Sequence, residues 1–284
     1  MKTFIFLTSS FVIISLMGLL GWRQLDHRAD DAEMNRLLGL QPTAPERFSP
    51  AMVADLPEPA RRYFMFAIAD GTPLYTVAEI EMQGLFSLGT KDAENYMDMV
   101  ATQVLAAPEG FVWKMSGGSG LAAMSGSDSS RWTRFWFAGL VPVARFGGDP
   151  DHARAAFGRY VAEAGLWTPA AILPGANVKW EGVNSDTARF TMTWQGMAQS
   201  VDLTVDKDGR PITVAFQRWS NANLDGVYLL QPFGGFLSDF RNVEGFRVPF
   251  HLEAGNSFGK DDYFPFFIAN VSKVHFPHLT LTLQ

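Results

Sequence analysis

Residues 159–175 read RYVAEAGLWTPAAILPG and join an amphipathic helix to a Trp-Thr-Pro stop. Just upstream, Asp149 supplies an N-cap and Pro150 suits the first turn of a helix. Apolar residues recur from there at steps of three and four, which is typical of one buried helical face. We therefore predict a helix that begins at Pro150, is capped at Gly165 and cannot pass Pro169.

Strand-like sequence lies on both sides of this helix, because the apolar period there is two. The predicted strands cover residues 77–82, 95–106, 111–115, 131–137, 178–183, 187–195, 200–205, 211–219, 246–253 and 263–276. Short turns separate many of them, and short turns imply antiparallel pairing. The sequence thus predicts an α+β fold, in which a few helices pack on the concave face of a large, curved, half-barrel-like antiparallel β-sheet.

The N-terminus has the pattern of a membrane or signal segment. Lys2 precedes an uncharged and mostly apolar run over residues 4–20, and Trp22 with Arg23 resembles an interfacial anchor. Residues 1–27 are predicted to be an uncleaved signal anchor, with a cleaved signal peptide as the alternative. Residues 28–55 would then be a tether and residues 56–284 a single α+β domain.

This organisation predicts a membrane-anchored protein whose main domain lies outside the cytoplasm, in the periplasm. Cleavage would instead release the domain into the periplasm. The formal net charge of -6 and the lack of a basic stripe argue against nucleic-acid binding. The chain contains no cysteine, which excludes a disulfide, a thiolate metal site and a cysteine nucleophile.

Short motifs indicate little chemistry. The SGGSG segment at residues 116–120 lacks the final glycine of a nucleophile elbow and the lysine of a phosphate-binding loop. Residues 206–209 start like a calcium loop but lack its later ligands, so they are interpreted as a hairpin turn. His275 and His278 are interpreted as surface histidines. We expect no metal site and no cofactor.

Aromatic residues on the predicted strands are numerous enough to line a cavity as well as fill a core. Arg159 and Glu163, four residues apart on the central helix, can form an ion pair. Either the helix only packs against one face of the sheet, or Arg159 and Glu163 form a buried functional pair. The predicted ligand-binding residues are Trp113, Trp132, Trp136, Arg159, Tyr160, Glu163, Trp167, Trp180, Trp194 and Trp219.

Several segments resemble an uncharacterised bacterial family, a domain of unknown function. They are LPEPARRYF at 56–64, GLF at 84–86, GFVW at 110–113, RYVAEAGLWTPAAILPG at 159–175, DGRPITVAFQRW at 208–219 and GFRVPFHLEAG at 245–255. The resemblance implies a membrane-associated or exported single domain and carries no known activity. The predicted architecture also resembles the half-barrel lipoprotein carriers of the bacterial envelope, which wrap an antiparallel sheet round helices and hold acyl chains.

The leading hypothesis is a non-enzymatic envelope protein that binds a lipid or another apolar ligand in a cavity of the curved sheet. The membrane is its predicted partner through the N-terminal segment. Two alternatives stay open. One is a hydrolase-like enzyme using Arg159 and Glu163 with a histidine from elsewhere. The other is a protein–protein interaction module of the envelope, which would display an exposed, contiguous aromatic patch.

Overall fold

The computed structural model describes residues 2–278, with the side chains of that range except those of residues 2–9 and 12. The predicted end of the domain at residues 279–284 lies outside the described residues, as do several side chains of the apolar run. The helices are α1 (Lys2–Leu38), α2 (Glu58–Ala67) and α3 (Pro150–Trp167). The strands are β1 (Ala78–Ser87), β2 (Tyr96–Ala106), β3 (Gly110–Gly117), β4 (Met124–Ser129), β5 (Trp132–Phe137), β6 (Val141–Gly147), β7 (Val178–Gly182), β8 (Thr187–Trp194), β9 (Met197–Val205), β10 (Pro211–Ser220), β11 (Leu229–Val243), β12 (Phe246–Asn256) and β13 (Phe264–His275).

All of these strands belong to one antiparallel sheet with the order β6-β5-β4-β3-β2-β1-β13-β12-β11-β10-β9-β8-β7. Two meanders, β1 to β6 and β7 to β13, meet where β1 pairs with β13. Strands β6 and β7 form the two edges, so the sheet is curved but open. The predicted α+β fold with a large curved antiparallel sheet is confirmed.

Helices α2 and α3 pack on the concave face. Side chains alternate between the two faces along each strand, so that Ala101 and Leu105 of β2 join the core beneath these helices, whereas Val104 faces the other way. The Tyr63 hydroxyl of α2 donates a hydrogen bond to the carbonyl of Gly165 at 2.9 Å and ties the two helices together. This core fixes α3 inside the curve of the sheet.

Helix α3 begins as its sequence predicts and ends later. The Asp149 carboxylate accepts a hydrogen bond from the backbone N–H of His152 at 2.8 Å, which is an N-cap. The helix continues to Trp167, so Gly165 is not its cap. Gly165 is instead a packing position, because a Cβ there would lie 3.4 Å from a methyl group of Leu203.

Helix α1 is continuous through residue 38 and does not break at the predicted tether. Its C-terminal half lies on the convex face, where Leu37 packs against Val104 and Val112. The sequence predicted helices on the concave face only, and α1 adds a layer outside it. None of the helices in the described part of the chain is long and apolar enough to qualify as a membrane span.

Two buried aspartates hold α1 on the sheet. Asp26 accepts hydrogen bonds from the guanidinium groups of Arg134 at 3.2 Å and Arg145 at 2.7 Å. The indole of Trp136 donates another to the same carboxylate at 2.9 Å. Asp30 pairs with Arg134 at 2.8 Å, one turn further along the helix. We call this set the α1 latch, and it joins the N-terminal helix firmly to strands β5 and β6.

Candidate ligand-binding site

A continuous belt of aromatic rings crosses the concave face from β5 to β10. Neighbouring ring centroids lie 5.3 to 6.4 Å apart. The members of this aromatic belt are, in order, Phe135, Trp113, Phe86, Phe266, Phe233 and Phe216. All except Trp113 and Phe216 are only half-buried, so the belt leaves ring surface open inside the curve of the sheet. Such a surface suits an apolar ligand.

An ion cluster on α3 and the neighbouring strands borders the belt. Arg159 pairs with the carboxylates of Asp128 at 2.7 Å and Glu163 at 2.8 Å. The Gln103 amide donates a hydrogen bond to the second oxygen of Glu163 at 2.6 Å. The Thr133 hydroxyl donates to the second oxygen of Asp128 at 2.5 Å. All four carboxylate oxygens therefore have a donor, which is what a buried ion cluster requires.

The Arg159 guanidinium also stacks above belt and core rings, 5.2 Å from the centroid of Trp113 and 4.7 Å from that of Phe111. Burial opposes its positive charge, but the carboxylates of Glu163 and Asp128 outweigh burial and raise the pKa of Arg159. Arg159 is thus always positively charged, is already paired with two carboxylates, and lies at the inner side of the belt.

Arg218 of β10 lies near the same cluster but lacks such a partner among the described residues. Its guanidinium lies 4.9 Å from the centroid of Phe233. Within residues 2–278 it forms no side-chain hydrogen bond or ion pair that meets ordinary distance limits, and its buried Nε has no acceptor. Burial and the positive charge of Arg159 lower the pKa of Arg218, and the carboxylates of Asp128 and Glu163 offset this only in part. An anion placed here would relieve an uncompensated charge.

A cavity opens at the β10 end of the belt because two strands separate. Backbone pairing between β9 and β10 ends at Val201 and Phe216. Beyond that point the Gln199 amide bridges the gap through hydrogen bonds to two backbone carbonyls, one from each strand. The cavity has a volume of about 400 Å³ and passes through the gap between the strands, since Ser200 and Asp202 of the convex face line it as well as Arg154 and Phe233. That volume is within the range of small-molecule sites.

The structure does not bring the ten predicted ligand-binding residues together. Trp113, Arg159, Tyr160 and Glu163 lie at or beside the belt and the ion cluster, although Tyr160 is buried and donates to the carbonyl of Pro108 at 3.2 Å. Trp167, Trp180 and Trp194 pack in or against the core. The indoles of Trp167 and Trp180 donate to backbone carbonyls of Pro249 and Ile172, so both rings are fixed parts of the fold.

The remaining three tryptophans lie elsewhere. Trp132 and Trp136 point to the convex face, where Trp136 belongs to the α1 latch and Trp132 donates to Ser127 at 3.0 Å. Trp219 lies beside the first turn of α3, where it donates to Asp151 at 2.8 Å. The physical reason is strand alternation, since Trp132 and Trp136 occupy positions opposite to Phe135 on β5.

Sequence reasoning missed most of the open belt and two charged residues of the site. The missed residues are Phe86, Phe216, Phe233, Phe266, Asp128 and Arg218. The period of two would have indicated Phe216 on β10 and Phe233 on β11, whereas Phe266 lies where the pairing of β12 with β13 shifts register. Nothing local marks Asp128 or Arg218, whose neighbours come from distant strands. Among the described residues, histidine and acidic side chains form no group of three placed to hold a metal ion.

The family of unknown function DUF6544 has a sequence model that matches residues 46–269, most of the chain. The chain belongs to this family. The predicted resemblance to a family of unknown function is therefore confirmed. The DUF6544 match includes the belt and the ion cluster and begins after α1. No curated protein matches the chain.

Three solved structures are similar to this DUF6544 member at low identity. A LolA superfamily protein from Nitrosomonas europaea has 11% identity and a TM-score of 0.39, covering 78% of this chain and 93% of its own. A putative outer membrane lipoprotein-sorting protein domain from Vibrio parahaemolyticus has 12% identity and a TM-score of 0.33, covering 70% and 85%. A DUF1329 family protein from Desulfovibrio piger has 10% identity and a TM-score of 0.37, covering 77% and 90%.

Proposed function

We propose that the domain binds an amphipathic lipid with an anionic head, whose chain lies along the aromatic belt and whose head pairs with Arg218. The observation that carries this proposal is Arg218, whose buried Nε has no acceptor and whose guanidinium has no ion-pair partner among the described residues. The guanidinium lies directly over the ring of the belt residue Phe233. A carboxylate or phosphate can accept two parallel hydrogen bonds from one guanidinium. The half-buried rings can cover methylenes, each contributing about 0.8 kcal/mol when fully buried.

The ion cluster supports binding more than catalysis. A general base must reach a substrate proton and be basic enough to take it, whereas each oxygen of Glu163 and of Asp128 already accepts a hydrogen bond, and Arg159 stabilises both carboxylates in their ionised form. His152 touches the cluster only through Thr133, at 3.1 Å. Arg159 and Glu163 are thus better suited to a structural and electrostatic role in the site than to catalysing hydrolysis.

We further propose that α1 anchors the domain outside the cytoplasm without being cleaved. Cleavage near residue 27 would remove Trp22, Arg23 and Asp26, all of which contact the sheet. The division into an anchor over 1–27, a tether over 28–55 and a domain from 56 onward stays a prediction. Helix α1 continues across the predicted boundary between residues 27 and 28, so residues 28–38 would move together with the domain.

The test compares two ligands with the same chain length, one with an anionic and one with a neutral head group. The full chain in nanodiscs of a neutral lipid is titrated with decanoate and with decanol. We expect decanoate to bind at least about tenfold more tightly, since a hydrogen bond to a charged group contributes roughly 1.5–3 kcal/mol. Arg218→Gln should abolish this preference and leave decanol binding unchanged.

The chain offers a matched pair of controls on one strand. Phe233→Asp should weaken both ligands, because it breaks the belt and places a carboxylate beside Arg218. Phe236→Asp, three residues further along β11 on the convex face, should weaken neither. Equal affinities for decanoate and decanol in the wild type, or an acid preference that survives in Arg218→Gln, would refute the proposal.

A further inference from the structure

Helix α1 extends beyond the sheet as an exposed apolar helix. Upstream of Trp22, the described apolar side chains that face solvent are Phe11, Ile13, Ile14, Leu16, Met17 and Leu20. Nothing in the described part of the domain covers them. Because α1 is unbroken from Lys2 to Leu38 and is latched to β5 and β6, this apolar segment has a fixed direction relative to the sheet.

The point where α1 leaves the sheet is defined by side-chain contacts. The Arg23 guanidinium donates to the carbonyl of Gly139 at 3.4 Å and to the hydroxyl of Ser125 at 3.1 Å. Trp22 meets Trp136 edge to face at a centroid distance of 5.5 Å. Towards its C-terminus the helix instead reaches the opposite ends of these strands, where Leu37 approaches Gly110. The exit therefore lies at the end of the sheet that carries the β3–β4 and β5–β6 loops.

Those two loops carry exposed apolar side chains next to the helix. Leu121, in the β3–β4 loop, is 86% exposed, and Phe137 and Val141 flank the β5–β6 turn at 41% and 53%. A hydrogen bond of 2.7 Å from the Ala138 N–H to the carbonyl of Ala123 joins the two loops. With Trp22 these residues form a surface, which we call the apolar rim, around the exit of α1.

A cavity of about 490 Å³ opens beside the rim and is lined in part by Arg23, Asp98 and Ser116. The buried Nε of Arg23 has no acceptor among the described residues. Arg23 and Asp98 carry opposite charges, so electrostatic attraction to one type of headgroup does not define this surface. Its exposed apolar side chains do, because they lie on two loops joined to each other and to Arg23 of α1, and clustered exposed apolar residues mark an interaction site.

We infer that the apolar rim rests in the interfacial layer of the bilayer that holds α1. The bilayer is the partner of the rim because the rim lies where the exposed apolar part of α1 leaves the sheet. Residues 4–20 of that helix would reach roughly 25 Å into the membrane at 1.5 Å per residue. Aromatic and aliphatic side chains at this level partition into the interface. This inference rests on the proposed anchoring by α1 but not on ligand binding at Arg218.

The rim also sets where the binding site opens. Phe86 is the penultimate residue of β1, and Ser87 pairs with Tyr96 at the same end of the sheet at which Met99 pairs with Gly117. The nearest part of the aromatic belt thus lies at the end that faces the bilayer. A lipid chain would pass between the membrane and the belt with little exposure to water.

The lack of cysteine allows a clean test in the full chain. Single cysteines at Leu121, Phe137 and Val141 are labelled with an environment-sensitive fluorophore after reconstitution into vesicles that contain lipids with shallow nitroxide quenchers. We expect blue-shifted, quenched emission at all three positions. Control labels at Glu109 and Val183, which lie in turns at the opposite ends of their strands, should report water and remain unquenched.

A further label at Met17 distinguishes failure of the rim inference from failure of the proposed membrane anchor. Rim labels that behave like the controls while Met17 is quenched would overturn the rim inference and leave the anchor intact. Unquenched labels at both the rim and Met17 would overturn the rim and the anchor together. Because none of these positions touches Arg218, neither result depends on the proposed lipid site.

Discussion

Replacing Arg159 by methionine is expected to lower the free energy of unfolding by about 3–5 kcal/mol, the largest stability effect predicted for the concave face. Methionine fills much of the same volume but leaves the carboxylates of Asp128 and Glu163 facing each other without their shared counter-ion. Only Arg218 remains nearby, and it does not contact either carboxylate. Urea denaturation of the full chain in detergent, followed by tryptophan fluorescence, measures the change.

Two companion variants test the cause. The triple variant Arg159→Met, Asp128→Asn, Glu163→Gln removes all three charges and should recover at least half of the loss. Arg154→Met removes an exposed arginine of the same helix that only stacks on Trp219, and should cost less than about 1 kcal/mol. A triple variant no more stable than the single one would show that Arg159 acts through packing instead of charge.

Asp26→Asn is expected to destabilise the latched state of α1 by about 3 kcal/mol at neutral pH. The amide keeps the shape of the carboxylate but cannot satisfy three donors with a negative charge. Burial alone would raise the pKa of Asp26, yet the hydrogen bonds from Arg145 and Trp136 and the charge of Arg134 outweigh it, so the pKa lies below its usual range. The measurement is the unfolding midpoint, with the Trp22 environment as the local probe.

The depressed pKa fixes the sign of the pH dependence. The Asp26 contribution is fully present above the unfolded-state value of about 3.9 and is lost as pH falls through the folded-state value. The difference between wild type and Asp26→Asn should therefore shrink below about pH 4. Asp31→Asn is the matched control, because its exposed pair with Lys114 contributes less than about 1 kcal/mol. A difference that stays constant down to pH 2 would refute this role for Asp26.

The fold was largely predictable because its signals are local. The N-cap of α3 and its apolar face lie within one segment, and strand β9 alternates clearly between buried and more exposed residues. Short polar turns between them fix antiparallel pairing without knowledge of distant contacts. These features act within a few residues, so one sequence suffices to predict them.

Three strands escaped prediction for physical reasons. Strand β4 reads MSGSDS, because its side chains meet the polar groups of α1 on one face and the ion cluster on the other. Strand β11 contains Pro232 and two glycines, and a Cβ at Gly235 would lie 2.3 Å from the carbonyl oxygen of Glu253. In β6 the apolar residues on both faces obscure the period of two. Close packing between strands, not propensity, decides these segments.

The candidate site was predictable only where its residues are neighbours in sequence. Spacing alone indicated the pair of Arg159 and Glu163, which lie on adjacent turns of α3. Asp128 and Arg218 reach the same place from opposite halves of the sheet, so only its curvature brings them together. The direction of each tryptophan depends on strand register, and composition could not show that Trp136 faces α1.

The central claim is that the concave face holds an anionic lipid, and native mass spectrometry of the full chain tests it most directly. The protein is purified in mild detergent without added lipid, alongside the double variant Arg218→Gln, Phe233→Asp. We expect one bound anionic lipid on the wild type, retained after collisional removal of the detergent, and none on the variant. A wild-type chain that carries no lipid and takes up no oleate would contradict lipid binding on the concave face.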